Sequence, residues 1–334
     1  MNVPLSQSIQ AGRVLDANWE TATCDRCGSR APWRALASFA SPSDIALAIH
    51  RKCIDAVTWP PSGRIDFRHC RGCGIVFMTP RLTEAGARRF YDAFYDSATD
   101  LPYYASSWTD LERARLDWIA QFAQARSSII DVGCGTGSFL AAARAAGYRV
   151  YGVDVSEIAV THARKERQLD ADVGDIASLV ASGRRSDVIT MFSVLEHLRD
   201  PLDALSAAAQ IVQRGGLFVF NVPNYASADR AFCSIVGRAW PGFIVEHNYY
   251  FSATVVRRML ADVGFAVVRM NSNSPVPRGA RGTGPVVSGG RPKSAVTDRV
   301  VGRARTLLEG AFEHSLLSRH SIAGNFLHVV ARRV

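Results

Sequence analysis

The chain has 334 residues, 48% of them hydrophobic and 9% aromatic, enough to bury the core of a full α/β domain and one smaller module. No apolar run approaches the roughly 20 residues that span a bilayer, and the first residues lack a basic-then-apolar leader. A cytoplasmic protein is therefore expected, with seven cysteines that serve as reduced thiols or metal ligands rather than disulfides. The net charge is +9, but residues 278–305 hold seven cations against the single acid Asp298, so six of the nine charges are local. Such a patch suits a phosphate-bearing partner or is a solvated loop; composition alone leaves both open.

In chain order, the first chemical signal is a pair of knuckles, Cys24-Asp-Arg-Cys27-Gly and Cys70-Arg-Gly-Cys73-Gly. Two residues between thiolates let both sulfurs reach one tetrahedral Zn²⁺, and the trailing glycine permits the tight turn. A structural zinc site on Cys24, Cys27, Cys70 and Cys73 is expected, with Cys53 as an ordinary core cysteine. Between the knuckles, Ile45–Ile49 reads as a short helix and Arg64–His69 as a strand. Gly74–Pro80 follows as a strand closed by proline, and Arg81–Tyr95 as a helix carrying Phe90, Tyr91, Phe94 and Tyr95. Those aromatics read as packing, with Tyr91 and Tyr95 also placed to line a pocket.

Trp108–Ala125 places Leu111, Ala114, Trp118 and Phe122 on one helical face and leads into the strand Ile129-Ile-Asp131-Val. A glycine loop follows at once, with Gly133, Gly135 and Gly137, then a helix over Ser138–Ala146. A dinucleotide loop would carry a third glycine where Ser138 stands. Asp131 instead suits a ligand bearing a positive amino group. The next strand ends in Asp154, where a βαβ unit brings a carboxylate to two ribose hydroxyls. A third strand, Ala171–Ile176, contains Asp175. The fourth, from Asp187 to Phe192, continues as Ser193-Val-Leu-Glu196-His197-Leu-Arg-Asp-Pro201. A helix to Arg214, a strand at Leu217–Val222, a helix at Ala253–Val263 capped by Ser252, a strand from Phe265 and a last strand at Asn325–Arg332 complete the pattern.

The glycine loop resembles motif I of class I S-adenosylmethionine-dependent methyltransferases, and the phrase Phe192–Pro201 resembles the small-molecule branches of that class. The whole pattern is similar to the branch called Methyltransferase 23, with a four-cysteine zinc-ribbon leader like that of sugar C-methyltransferases. The resemblance implies a doubly wound α/β, Rossmann-like sheet of seven strands in the order 3-2-1-4-5-7-6, the last antiparallel. Its domains would be a zinc-ribbon module at 20–80, leading helices at 81–125 and the methyltransferase domain at 126–334. The implied cofactor is S-adenosylmethionine, held by Asp131, Gly133, Cys134, Gly135, Gly137, Asp154, Val155, Phe192 and Ser193. Asp175 would hold the adenine amino group and Ile176 would pack on the ring.

For the chemistry, a histidine base near neutral pKa suits a hydroxyl or activated-carbon acceptor. His197, beyond the fourth strand's carboxyl end, and His247 are the candidates, with Glu196 beside them. Glu196, His197 and His247 are also similar to the Mg²⁺-holding cluster of small-RNA 2′-O-methyltransferases, although Ser193 stands where those enzymes have a further glutamate. The expected acceptor is a small molecule: a sugar, nucleotide-sugar or polysaccharide precursor, with O- or C-methylation open. The absence of an Asn/Asp-Pro-Pro-Tyr motif counts against base methylation and makes nucleic acid a disfavoured partner. The rivals are a zinc-ribbon RNA methyltransferase and a non-catalytic zinc scaffold. Residues 271–324 match no pattern. Their amphipathic stretch, Val296–Leu317, reads as a lid, a dimer contact or a peripheral membrane-surface helix.

Overall fold

The computed structural model describes residues 13–28, 32–42, 51–98, 108–237, 239–272 and 324–334. The expected helices at Ile45–Ile49 and Val296–Leu317 lie outside these. Among the described residues no helix is long and apolar enough to cross a membrane.

The N-terminal part contains β1 (Trp19–Glu20), β2 (Trp33–Phe39), helix α1 (Arg51–Val57), β3 (Ile65–Cys70), β4 (Val76–Thr79), β5 (Arg81–Leu82) and helix α2 (Glu84–Ala98). Arg81 and Leu82 are not the first helical turn that periodicity predicts. They pair antiparallel with Trp19 and Glu20, and the helix starts only at Glu84. The pairing explains the delay: β1 holds Arg81 and Leu82 extended, and the helix starts after Thr83, whose hydroxyl accepts from Gly86 N at 3.0 Å as an N-cap.

The larger domain opens with α3 (Trp108–Ala120) and β6 (Ser128–Val132), then α4 (Ser138–Ala145), β7 (Arg149–Asp154), α5 (Glu157–Arg167), β8 (Ala171–Val173), α6 (Ile176–Ala181) and β9 (Ser186–Phe192). It continues with α7 (Pro201–Ile211), β10 (Val212–Pro223), α8 (Ala228–Ile235), β11 (Tyr249–Tyr250), α9 (Ala253–Asp262), β12 (Phe265–Asn271) and β13 (Phe326–Arg333). The sheet runs β8-β7-β6-β9-β10-β13-β12, and β13 is antiparallel to both neighbours. Numbered within that sheet, this is 3-2-1-4-5-7-6, as the resemblance implies. The third strand stops at Val173, earlier than expected, because Asp175 leaves the strand to cap α6. The fifth begins earlier, at Val212, and its register with β9 shifts between Val212 and Leu217, so Gly215 and Gly216 fall inside the irregularity.

The two parts are not separate bodies of packing. The module's sheet has the order β2-β3-β4-β11, and its last strand comes from Tyr249–Tyr250, after β10 of the larger sheet. Cys24, Cys70, Cys73, Ile75 and Phe77 share one core with Val255, Val256 and Met259 of α9 and with Phe218 and Phe220 of β10. On the other side, Phe67 stacks on Phe243 with ring centroids 4.4 Å apart, and Phe39, Trp240 and Tyr250 close around them. Each such buried aromatic contributes about 1.5–3 kcal/mol relative to an exposed one, so this seam is held as firmly as a domain interior.

Candidate active site

The glycine loop leaves β6 with Gly133, Gly135 and Gly137 all at positive φ, 71°, 53° and 83°. A Cβ on Gly133 would lie 2.5 Å from Val194 Cγ2, and one on Gly137 2.3 Å from Leu169 Cδ1, so a side chain at either would strain the backbone and displace a neighbour. The amides of Gly133 and Cys134 donate to the Val153 carbonyl and pin the loop against β7. Asp154 then meets the loop directly. Its Oδ2 accepts from Gly135 N at 2.8 Å and its Oδ1 from Ser156 N at 2.9 Å. Each oxygen keeps a further lone pair, which is what two ribose hydroxyls need. Burial raises the pKa of this carboxyl and the amides of Ser156, Gly135 and Val155 oppose that rise.

Asp131, on β6, accepts from Thr190 Oγ1 at 2.6 Å and is pushed up to about 7 by burial, opposed by that hydrogen bond and by the Arg115 guanidinium. Around the carboxyl ends of β7 and β8, Val155, Ile158 and Val173 are each more than 40% exposed, an apolar rim suited to a purine. Ile176 does not join it. This side chain is 8% exposed and packs in the core, so the exposed apolar rim is made by the other three. The Asp175 side chain accepts from Ser178 N at 2.9 Å in a capping box, so part of its hydrogen-bonding capacity is already used by α6. Phe192 lies edge-on to Phe139 at 5.0 Å, and Ser193 after it turns through the left-handed region at φ 56°. That turn aims the following segment across the carboxyl edge of the sheet.

There the structure brings Glu196, His197 and His247 together. His197 Nδ1 lies 2.9 Å from the Glu246 carbonyl. A carbonyl only accepts, so Nδ1 carries the proton and Nε2 of the neutral ring presents a lone pair. The two histidine rings meet edge to face at 4.7 Å. Glu196 Oε1 stands 3.9 Å from His197 Nε2 and 4.0 Å from His247 Nε2, beyond hydrogen-bond range. Glu196 is fully buried, and neither carboxyl oxygen has a hydrogen-bond partner. Burial, partly offset by the residue's own backbone amide and reinforced by the charge of Glu246, pushes it up to about 8, which favours the protonated acid at neutral pH. Tyr91 lies edge-on to His197 at 6.0 Å, and Tyr95 sits over the loop, its hydroxyl 3.1 Å from where a Gly135 Cβ would be.

The four knuckle cysteines also converge, their Sγ atoms all within 4.8 Å of one another. Tetrahedral Zn–S bonds of about 2.3 Å place sulfurs roughly 3.8 Å apart, so the donor set and its spacing fit zinc. Cys24 Sγ and Cys73 Sγ lie 3.3 Å apart.

Residues 107–270 match the family Methyltransf_23, described as a methyltransferase domain. This part of the chain is a Methyltransf_23 domain. The chain is 33% identical over 122 residues to a ubiquinone biosynthesis O-methyltransferase of Aromatoleum aromaticum, covering 34% of this chain and 52% of that protein. It is 30% identical over 168 residues to the enzyme of the same name from Alkalilimnicola ehrlichii, covering 44% and 66%. A 37.1 kDa protein in transposon TN4556 of Streptomyces fradiae is 29% identical over 199 residues, covering 56% and 57%. The chain thus spans between half and two thirds of the length of these relatives. A chain of the complex between the Haloferax volcanii Trm112 methyltransferase activator and its methyltransferase shares the fold, with a TM-score of 0.50 at 20% identity over 73% of this chain and 97% of that one.

Within the methyltransferase domain, the residue that sequence reasoning missed is Arg115. It lies on α3 with its guanidinium 4.2 Å from the Phe192 ring centroid, 3.4 Å from the Glu112 carboxylate and close enough to Asp131 to act on its charge. Its signal was an arginine within an otherwise apolar helical face, between Leu111 and Trp118. A cation beside an acid at the mouth of the glycine loop suits the two charges of a zwitterionic amino acid.

Proposed function

We propose that the protein transfers a methyl group from S-adenosylmethionine to a small acceptor whose nucleophile is a hydroxyl or an activated carbon. The observation that carries this reading is the placement of His197. Its tautomer leaves Nε2 as a base at the carboxyl edge of the sheet that bears the cofactor loop. In this reading Asp154 takes the ribose hydroxyls, Asp131 the methionyl ammonium, Arg115 the methionyl carboxylate, and Val155, Ile158 and Val173 flank the adenine. With the cofactor so held, Glu196, His197 and His247 would line the acceptor side. His197 Nε2 takes the acceptor's proton as the methyl carbon forms its new bond and the C–S bond breaks, leaving S-adenosylhomocysteine. Positioning supplies most of the acceleration and the base about 10²–10⁴-fold.

A sugar or nucleotide-linked sugar is the acceptor we favour. Tyr225, just beyond β10, is stacked by His69 at 6.1 Å and covered by the Arg230 guanidinium at 4.5 Å, with Arg34 and Arg71 acting on the same histidine. That aromatic and cationic surface suits an anionic handle. The names of the curated relatives favour a second reading, a phenolic hydroxyl as acceptor, which the same base would serve. Cys24, Cys27, Cys70 and Cys73 would hold a structural zinc that ties the module's two turns together.

Methyl-tritiated S-adenosylmethionine, incubated with the protein and separate panels of nucleotide sugars and ortho-diphenols, tests the reading. Label in a nucleotide sugar supports our choice, and label in a diphenol selects the second. Calorimetry showing no binding of S-adenosylmethionine would overturn both. Elemental analysis of the same sample is expected to show one zinc per chain.

A further inference from the structure

The pair β1/β5 sets Glu20 opposite Arg81 in the interior, at 3% and 6% exposure. From there Arg81 reaches into the reaction centre's scaffold. Its Nε donates to Glu20 Oε1 at 2.9 Å, and its Nη1 donates to the Arg199 carbonyl at 2.7 Å and to Tyr249 Oη at 3.0 Å. Tyr249 Oη in turn donates to the same Arg199 carbonyl at 3.1 Å, and Arg199 Nη2 donates to Glu20 Oε2 at 2.9 Å. Burial works against the charge on Arg81, but Tyr249 and Glu20 outweigh it and the guanidinium is held protonated.

These contacts lie at one end of a zipper between the two histidine-bearing loops. Tyr249 N donates to the Glu196 carbonyl at 3.1 Å. Asn248 Nδ2 donates to the His197 carbonyl at 2.7 Å. His197 Nδ1 donates to the Glu246 carbonyl at 2.9 Å. The knuckle adds its own tie, since Asp25 Oδ2 accepts from Leu202 N, in the first turn of α7, at 3.3 Å. Carbonyls 197 and 199 are thus both held from outside their own loop, the second by a residue of the N-terminal module.

We propose that Arg81, clamped by Glu20, is the positioning residue that registers the His197 loop against the His247 loop and so fixes which ring nitrogen of His197 carries the proton. Its importance for turnover rests on the reading of His197 as the base; its effect on the ring does not. Without Arg81, the Arg199 carbonyl keeps, among the described residues, the Tyr249 hydroxyl alone. The 197–200 segment then relaxes away from Glu246, and the ring moves toward the Nε2–H tautomer that an unconstrained neutral imidazole favours. In that tautomer Nε2 cannot accept a proton.

Long-range ¹H–¹⁵N correlation of the histidine side chains in the full-length protein, above the ordinary histidine pKa range, reads this directly. The His197 signal is assigned by its loss in His197→Gln. The wild type is expected to show the Nδ1–H form. Arg81→Met is expected to shift His197 toward the Nε2–H form, while S-adenosylhomocysteine affinity by calorimetry stays within about threefold. Arg81→Lys, which can still donate to the Arg199 carbonyl, is expected to keep the wild-type tautomer. Where Arg81→Met does not fold, Tyr249→Phe removes one arm of the clamp and is expected to give a smaller shift in the same direction. A His197 tautomer unchanged in the folded Arg81→Met, or in Tyr249→Phe, overturns the proposal. Failure to find methyl transfer to any acceptor would remove the proposed function and leave this spectrum standing, so the two claims fail separately.

Discussion

The proposed cofactor side and the proposed acceptor side of the site are built in opposite ways. Asp131, Gly133, Gly135, Gly137 and Asp154 come from one strand-loop-helix-strand unit tied within itself by Gly135 N to Asp154 and Cys134 N to Val153, with Thr190 of the adjacent β9 holding Asp131. Glu196, His197 and His247 come from two loops joined by Asn248 and Tyr249 and clamped by Glu20 and Arg81, the latter 168 residues from its partner Tyr249. A local unit works wherever its sheet is formed. A composite one depends on the seam between module and sheet, so the two halves can be damaged independently.

The largest expected effect falls on the acceptor side alone. His197→Gln should lower turnover by about 10²–10⁴-fold while calorimetry finds S-adenosylhomocysteine affinity unchanged. Equal losses in both would mean that the halves are not separable. Asp154→Ala tests the converse. Losing a charged acceptor of two hydroxyls should weaken S-adenosylmethionine binding by about 100-fold, and the same long-range histidine spectrum should stay as in the wild type.

The smallest effect concerns stability. The folded pKa of Glu196, about 8, lies above its ordinary 4.5, so folding favours the protonated form. Its stabilising contribution is complete below about pH 4.5 and is lost as pH rises toward 8, because the unfolded chain releases the proton more readily. Glu196→Gln should therefore raise the melting temperature at pH 7.5, by the equivalent of roughly 1–3 kcal/mol, with little gain at pH 4. Thermal melts at the two pH values check this, and a loss at pH 7.5 would show that the carboxylate, not the acid, is the form the site needs.

The same contrast explains what was legible in the sequence. The glycine loop and the two knuckles are contiguous in the sequence and Asp154 follows at βαβ spacing, so all were legible locally, whereas the strand order came from the resemblance and is the order the sheet has. Arg115 was hidden because one charge on an amphipathic helix looks like an irregularity in its face until the sheet beside it is known. Arg81 was absorbed into a helical pattern because nothing local records that Glu20 lies across from it. The resemblance named Ile176 for the adenine ring but not Ile158 or Val173, whose exposure only the folded sheet reveals.

The strand Tyr249–Tyr250 bears on how the chain is made. The module's first three strands leave the ribosome early, but their sheet is completed by residues about 170 positions later than β4. At 5–20 residues per second, that is a wait of roughly 10–30 s, during which the edge of β4 lacks its native partner. The knuckle cysteines become available for metal before that partner does. Zinc bound at this stage would hold the early strands together until the chain that carries His247 arrives to finish the sheet.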